Sequence, residues 1–178
     1  MRPVTESIHI KVVPDSDRPQ YYDAIHALIE RNRADYIPWK EYAESDGTPM
    51  YEFFSNYRAT DEYLLVAEDT KTDTLCGFAT IDAPSEREDI PVSPPFTYYS
   101  LMLVDRGYRG NGIGTAFYDT VLSTLLPALD APNPVVIGTW ESNKAQQSLL
   151  DKFGFERFDS KQNHRSNGED TYYYRTHY

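Results

Sequence analysis

The chain has 178 residues, a formal net charge of −11 and 14% aromatic residues. That length suits one domain, 1–178, able to bury a real core, and the negative charge argues against a nucleic-acid partner, whose phosphates it would repel. No apolar run approaches the roughly 20 residues needed to cross a bilayer, and Met1 to Pro14 lacks the apolar stretch of a signal peptide, so no membrane association and a cytoplasmic location are expected.

From the N-terminus, Ser7 to Val13 alternates and predicts a strand. Asp15 or Ser16 is placed to cap the next element, with Pro19 in its first turn. Tyr22, Ile25 and Ile29 then share one helical face, and a second helix is expected over Pro49 to Tyr57. Tyr63–Glu68 and Leu75–Ile81 read as two strands joined by the polar turn Asp69–Thr74. Cys76, the single cysteine, lies between Leu75 and Phe78 and reads as a small buried strand residue, without a disulfide partner. The histidines His9, His26, His164 and His177 have no ligand-like spacing, so no metal site is expected.

Pro84 to Pro95 contains four prolines and reads as a loop. Phe96–Val104 is a strong strand. A glycine-rich turn follows it, then a helix from about Gly112 to Leu126, bracketed by Pro127 and Pro132. Val135–Trp140 is another strand. Ser142 or Asn143 opens a helix to about Phe153, stopped by Gly154. Phe155–Asp159 and Thr171–His177 close as a hairpin, with Asn167-Gly168 as a tight-turn pair. The order β-α-α-β-β-β-α-β-α-β-β is that of a mixed α/β domain.

The most informative segment runs from Leu101 to Ala116, through Arg109-Gly110-Asn111-Gly112-Ile113-Gly114. A strand enters it and an amphipathic helix leaves it. Glycines let the backbone approach a ligand, and a helix start offers unpaired N–H groups and the positive end of a dipole. Arg109 adds a positive charge. A Walker loop would need Lys and then Ser or Thr; Thr115 and Ala116 follow Gly114 instead. A dinucleotide fingerprint would need G-x-G-x-x-G opening a βαβ unit near the chain start, and this spacing is G-x-G-x-G past mid-chain. The remaining pattern, R-x-x-G-x-G, is met by Arg109, Gly112 and Gly114.

With that loop after Leu103-Val104, and with Asn143-Lys-Ala-Gln-Gln-Ser-Leu-Leu-Asp-Lys-Phe-Gly-Phe155 about 30 residues later, the chain resembles the GNAT superfamily of N-acetyltransferases. The resemblance implies a central, mostly antiparallel sheet with flanking helices and an acyl-CoA cleft between two splayed strands around Val104 and Val135. It implies acetyl-CoA as cosubstrate. The backbone of Leu103 and Val104 would pair with the pantetheine arm. The N–H groups of Arg109, Gly110, Asn111, Gly112, Ile113, Gly114 and Thr115 would bind the pyrophosphate, and Asn143 would hydrogen-bond the pantetheine region or simply cap its helix. Three positions depart from the family. The slot that often carries a thiolate-protonating Tyr is Leu150, and the slots that often carry a strand acid or base are Ser100 and Tyr98.

The implied reaction is attack of a neutral amine on a thioester in a ternary complex. The ammonium, with a pKa of roughly 10, must first lose a proton, and a strand N–H near Leu103 is suited to the oxyanion. The candidates for proton handling are Tyr98, Ser100 and Glu141, with Tyr99 as a fourth. Strict alternation would set Tyr98, Ser100, Met102 and Val104 on one face and Tyr99 on the other. Tyr172-Tyr173-Tyr174 reads as ordinary strand aromatics, with the acceptor pocket as the alternative. The expected partner is a small-molecule or peptide amine, with a second copy of the chain left open. A cationic amine would be drawn in by the net charge and by Glu86, Glu88 and Asp89. A second reading also stays open: a CoA-binding regulatory or partner module with little catalysis.

Overall fold

The computed structural model describes residues 7–35 and 62–178. Seven strands form one sheet: β1 (Ile8–Val13), β2 (Glu62–Asp69), β3 (Thr74–Ser85), β4 (Phe96–Val104), β5 (Val135–Trp140), β6 (Glu156–Lys161) and β7 (Thr171–Thr176). Their order across the sheet is β1-β2-β3-β4-β5-β7-β6, and every neighbouring pair is antiparallel except β4 with β5. This is the mixed α/β, mostly antiparallel architecture expected. The helix expected over Pro49–Tyr57 lies outside the described residues.

Two helical layers cover the sheet. α1 (Tyr22–Arg31) lays Leu28 and Ile29 against Leu64 and Val66 of β2, Phe78 of β3 and Leu103 of β4. On the opposite face α2 runs through Ile113–Thr120, a π turn at Val121–Leu125 and a last turn at Leu126–Leu129. With α3 (Lys144–Lys152) it packs Phe117, Tyr118, Val121 and Leu150 onto Leu65, Ala79, Ile81, Tyr99, Val135 and Ile137. Alternate residues of β2 therefore enter different cores, as the period of a strand requires. Cys76 is fully buried in β3, as expected; its thiol donates to the Ala67 carbonyl, and burial pushes its pKa up to about 11.

Local boundaries differ from the sequence reading where backbone bonding outruns propensity. β3 continues to Ser85, so the proline-rich connection starts after it. Pro127 sits inside the last turn of α2, directly after the π turn, where the Leu126 N–H already reaches back five residues to the Val121 carbonyl. Pro19 falls within a 3₁₀ turn over Asp15–Tyr21 that has no side-chain cap. The β6–β7 connection is longer than a two-residue hairpin. Asn163 and Gly168 both have positive φ, and the Gly168 N–H donates to the Arg165 carbonyl.

Candidate active site

β4 and β5 touch only briefly. Thr97 pairs with Val135 and Tyr98 with Val136, and no further pair joins them. Beyond that point β4 stays with β3 and β5 stays with β7. The two strands part, and a cavity of about 560 Å³ opens between them. Met102, Leu103 and Val104 of β4 line one wall and Trp140 of β5 the other. The loop and the start of α2 close one end through Arg109, Gly110, Gly112, Ile113, Gly114 and Thr115.

The loop's shape depends on its glycines. Gly110 and Gly112 have φ of 78° and 83°, a region side chains avoid. Gly112 is the residue before the first turn of α2, and the first bond closing that helix runs from the Ala116 N–H to its carbonyl, at 2.9 Å. The N–H groups of Ile113, Gly114 and Thr115 precede that bond and so have no partner within the helix. They leave unpaired donors at the helix start, beside the cavity. Gly114 has a packing role instead: a Cβ there would come within 3.0 Å of Leu149.

Arg109 differs from its expected role. It is not a bare charge facing the anion site. Its Nε donates to the Val104 carbonyl at 3.0 Å, and its terminal nitrogen is shared between Asp35 (2.7 Å) and Asn32 (3.2 Å). Asp35 also pairs with Arg106 at 2.6 Å and itself lines the cavity. The Arg106 hydrogen bond, with help from Arg109, holds the Asp35 carboxyl below its ordinary pKa. A carboxylate thus borders the cavity beside the helix start, and sequence reading missed it because Asp35 lies more than 70 residues from its partners.

The α3 side contains a cation that the sequence reading also missed. Lys152 lines the cavity, and its Nζ donates to Thr115 Oγ1 at 3.2 Å. Ala145, Leu149 and Lys152 lie at i, i+4 and i+7, so counting helical turns from Asn143 would have found it. Asn143 does cap α3: its Oδ1 accepts from the Gln146 N–H at 3.3 Å, and its Nδ2 donates to Thr139 Oγ1 at 3.2 Å. It lines the cavity as well. Leu150 does not. It is wholly buried in the core among Tyr99, Tyr118 and Phe155, while its neighbour Leu149 faces the cavity. The residue expected in a proton donor's place is therefore turned away from the cavity.

The proton-handling candidates separate. Alternation along β4 breaks at a bulge: Thr80 pairs with Leu101 and Ile81 with Tyr99, which leaves Ser100 as the extra residue. Tyr99, Met102 and Val104 consequently meet the α2–α3 core, whereas Tyr98, Leu101 and Leu103 lie on the α1 face. The expected shared face of Tyr98, Ser100, Met102 and Val104 is thus corrected. Tyr98 is 1% exposed, packed with Phe96, Val136 and Tyr173, and burial pushes its hydroxyl up to about 12. Ser100 is half-buried, and its hydroxyl donates to Glu62 Oε1 at 2.8 Å. Glu141 is exposed at the turn after β5, beyond the cavity lining, and accepts a hydrogen bond from Tyr172. Tyr173 and Tyr174 are strand aromatics in two different cores.

The acidic connection carries less free charge than its composition implies. Arg87 forms a two-point bond to Asp89, at 3.0 and 2.7 Å, and lies over the Tyr98 ring. That hydrogen bond depresses the Asp89 pKa, and Lys161 donates to the Asp89 carbonyl. Any attraction of a cation falls to Glu86 and Glu88.

The model of the Acetyltransferase (GNAT) family matches residues 25–155. No curated protein matches the chain. Among solved structures, an N-acetyltransferase from Staphylococcus aureus Mu50 superposes with a TM-score of 0.69 at 19% identity, over 95% of this chain and 97% of that one. The ribosomal-protein-S18-alanine N-acetyltransferase from Escherichia coli does so at 0.65 and 16%, over 94% and 92%. A chain of the NatC complex bound to Gag peptide and CoA gives 0.67 and 20%, over 95% and 97%.

Proposed function

This chain belongs to the GNAT acetyltransferase family, and from that premise we propose that it moves an acetyl group from acetyl-CoA directly onto a primary amine held in the same complex. One observation carries the reading: the cavity between the parted strands β4 and β5 ends on the unpaired N–H groups at the start of α2. That shape suits a long donor with a phosphate-bearing end. The pyrophosphate would take the N–H groups from Arg109 to Thr115, with Lys152 and Thr115 beside them. The pantetheine arm would lie along Leu103 and Val104, with Asn143 and Trp140 opposite.

No covalent step on the protein is needed. The amine attacks the thioester carbonyl, the C–S bond breaks, and a strand N–H near Leu103 would meet the oxyanion. Holding donor and acceptor together supplies much of the rate. The acceptor is an amine of a small molecule or of a peptide; the Escherichia coli neighbour is named for a protein alanine and the NatC neighbour holds a peptide. Among the described residues no helix is long and apolar enough to cross a membrane.

The test is release of free thiol from acetyl-CoA with a panel of amines, peptides and polyamines. Turnover with at least one class is expected. Tight CoA binding without turnover on any of them would leave a binding module instead.

Asp35 provides a second test. Replacing it with asparagine removes a carboxylate from the anion site and frees Arg106 and Arg109 for phosphate. Calorimetry should show acetyl-CoA binding tighter by about 1 kcal/mol, roughly fivefold, with the gain shrinking in high salt. Weaker binding would mean that Asp35 serves to place those guanidiniums.

A further inference from the structure

A polar band crosses the α1 face of the sheet between two apolar clusters. On one side lie Leu64, Val66, Phe78 and Leu103; on the other lie Phe96, Tyr98, Val136 and Tyr173. Between them, three adjacent strands each contribute a polar side chain: Glu62 from β2, Thr80 from β3 and Ser100 from β4. Glu62 shares the face of Leu64 and Val66, and Thr80 that of Phe78, by strand alternation. Glu62 is 7% exposed, and the Thr80 hydroxyl is fully buried with no hydrogen-bond partner among the described residues. A carboxylate and a hydroxyl set into a sheet face cost stability, so apolar residues would serve the fold better there.

The location gives the band a use. Ser100 is the bulged residue, two positions past the last β4–β5 pair at Tyr98 and two before Met102, the first β4 residue to line the donor cavity. Bulges re-aim side chains, and this one puts a hydroxyl where the strands begin to part. Its oxygen bonds Glu62 Oε1 at 2.8 Å. Among the described residues, charged groups near the carboxylate include Asp82, directly across from Glu62 in the β2–β3 register, and Arg87, lying over the Tyr98 ring, with Asp89 and Arg165 also acting on Tyr98. The Glu62 charge reaches Tyr98, whose hydroxyl is held up chiefly by burial.

We propose that Glu62 is the proton acceptor that converts the incoming ammonium to an amine, acting through the Ser100 hydroxyl. This rests on the acetyl-transfer reading above. Ser100 Oγ takes a proton from the ammonium nitrogen as its own proton passes to Glu62 Oε1, so the serine ends unchanged. The neutral amine then attacks the thioester carbon, the C–S bond breaks, and the thiolate leaves with the nitrogen's second proton. Glu62 returns its proton to solvent. Because Glu62 works through Ser100, its part is to position and drive the relay.

The test uses the full chain, acetyl-CoA and the fastest amine of the panel, with thiol release followed from pH 7 to pH 10. Glu62→Gln should lower kcat about 100-fold or more at pH 7, with acetyl-CoA affinity by calorimetry unchanged. The deficit should shrink towards pH 10, where the amine loses its proton unaided; a merely structural role would not move with pH in this way. Ser100→Ala should show the same pH-dependent deficit, and the double variant should be little worse than Glu62→Gln, since both act in one chain. Asp82→Asn should keep the parental rate. Full kcat in Glu62→Gln, a deficit constant across pH, or loss carried by Asp82→Asn overturns the proposal. If Glu62→Gln does not fold, a parental rate in Ser100→Ala overturns it alone. Absence of turnover in the unmodified protein with every amine is a different result, one that removes the acetyl-transfer reading itself and the relay with it.

Discussion

Gly112→Val is expected to abolish measurable acetyl-CoA binding while the protein stays folded. Gly112 stands at φ 83°, immediately before α2. A β-branched residue is strongly disfavoured there, at about 1–3 kcal/mol. The chain would relieve that strain by turning the peptide, which moves the N–H groups that the donor's pyrophosphate requires. Strain and lost hydrogen bonds act together, so the affinity should fall more than about 100-fold, on the order of 3 kcal/mol. Gly110→Ala is the control. Its φ is 78°, yet a Cβ there meets nothing within 4 Å, so only backbone strain applies and the loss should be smaller. Calorimetry with circular dichroism checks both. Parental affinity in a folded Gly112→Val variant would mean that this loop does not hold the pyrophosphate.

The second large effect is on stability. Tyr118 of α2 is wholly buried and lies between two rings, Tyr99 of β4 at 4.9 Å and Phe153 after α3 at 5.2 Å. Phe155 meets it edge-on at 5.8 Å, and Gln146 of α3 donates to its hydroxyl. One side chain thus ties the helix that begins at the glycine loop to β4 and to α3. Tyr118→Ala should cost about 3–5 kcal/mol by cavity formation, or a melting temperature roughly 10 °C lower in a domain of this size. Tyr118→Phe keeps the stack and leaves Gln146 short of a partner, at about 1 kcal/mol. Thermal unfolding separates the two. An alanine variant melting within a degree or two of the parent would show that the stack does not hold the walls together.

Much of the loop end of the cavity was legible because its signals are local. The loop's glycines, the strand entering it and the Asn143 cap each depend on neighbours a few residues away. The contacts around Ser100 were not legible for the opposite reason. The Ser100 bulge comes from a register shift against β3 and shifts which residues share a face, and no composition marks it. Glu62 reaches Ser100 across an intervening strand, from 38 residues away. Asp35 neutralises Arg109 over a still longer separation. That Leu150 is buried while Leu149 faces the cavity was not legible either, since the two are alike as letters and differ only in which way the turn carries them.

The short contact between β4 and β5 bears on solubility as well. A sheet that parts in its middle exposes two inward edges, each with unpaired N–H and C=O groups, and bare edges are where chains pair with one another and aggregate. Outer edges are guarded by charge, twist or brevity. These inner ones are guarded by geometry: they face each other across a gap that closes at Tyr98 and Val136, so neither edge lies on the outer rim of the sheet where a neighbouring molecule could add a strand.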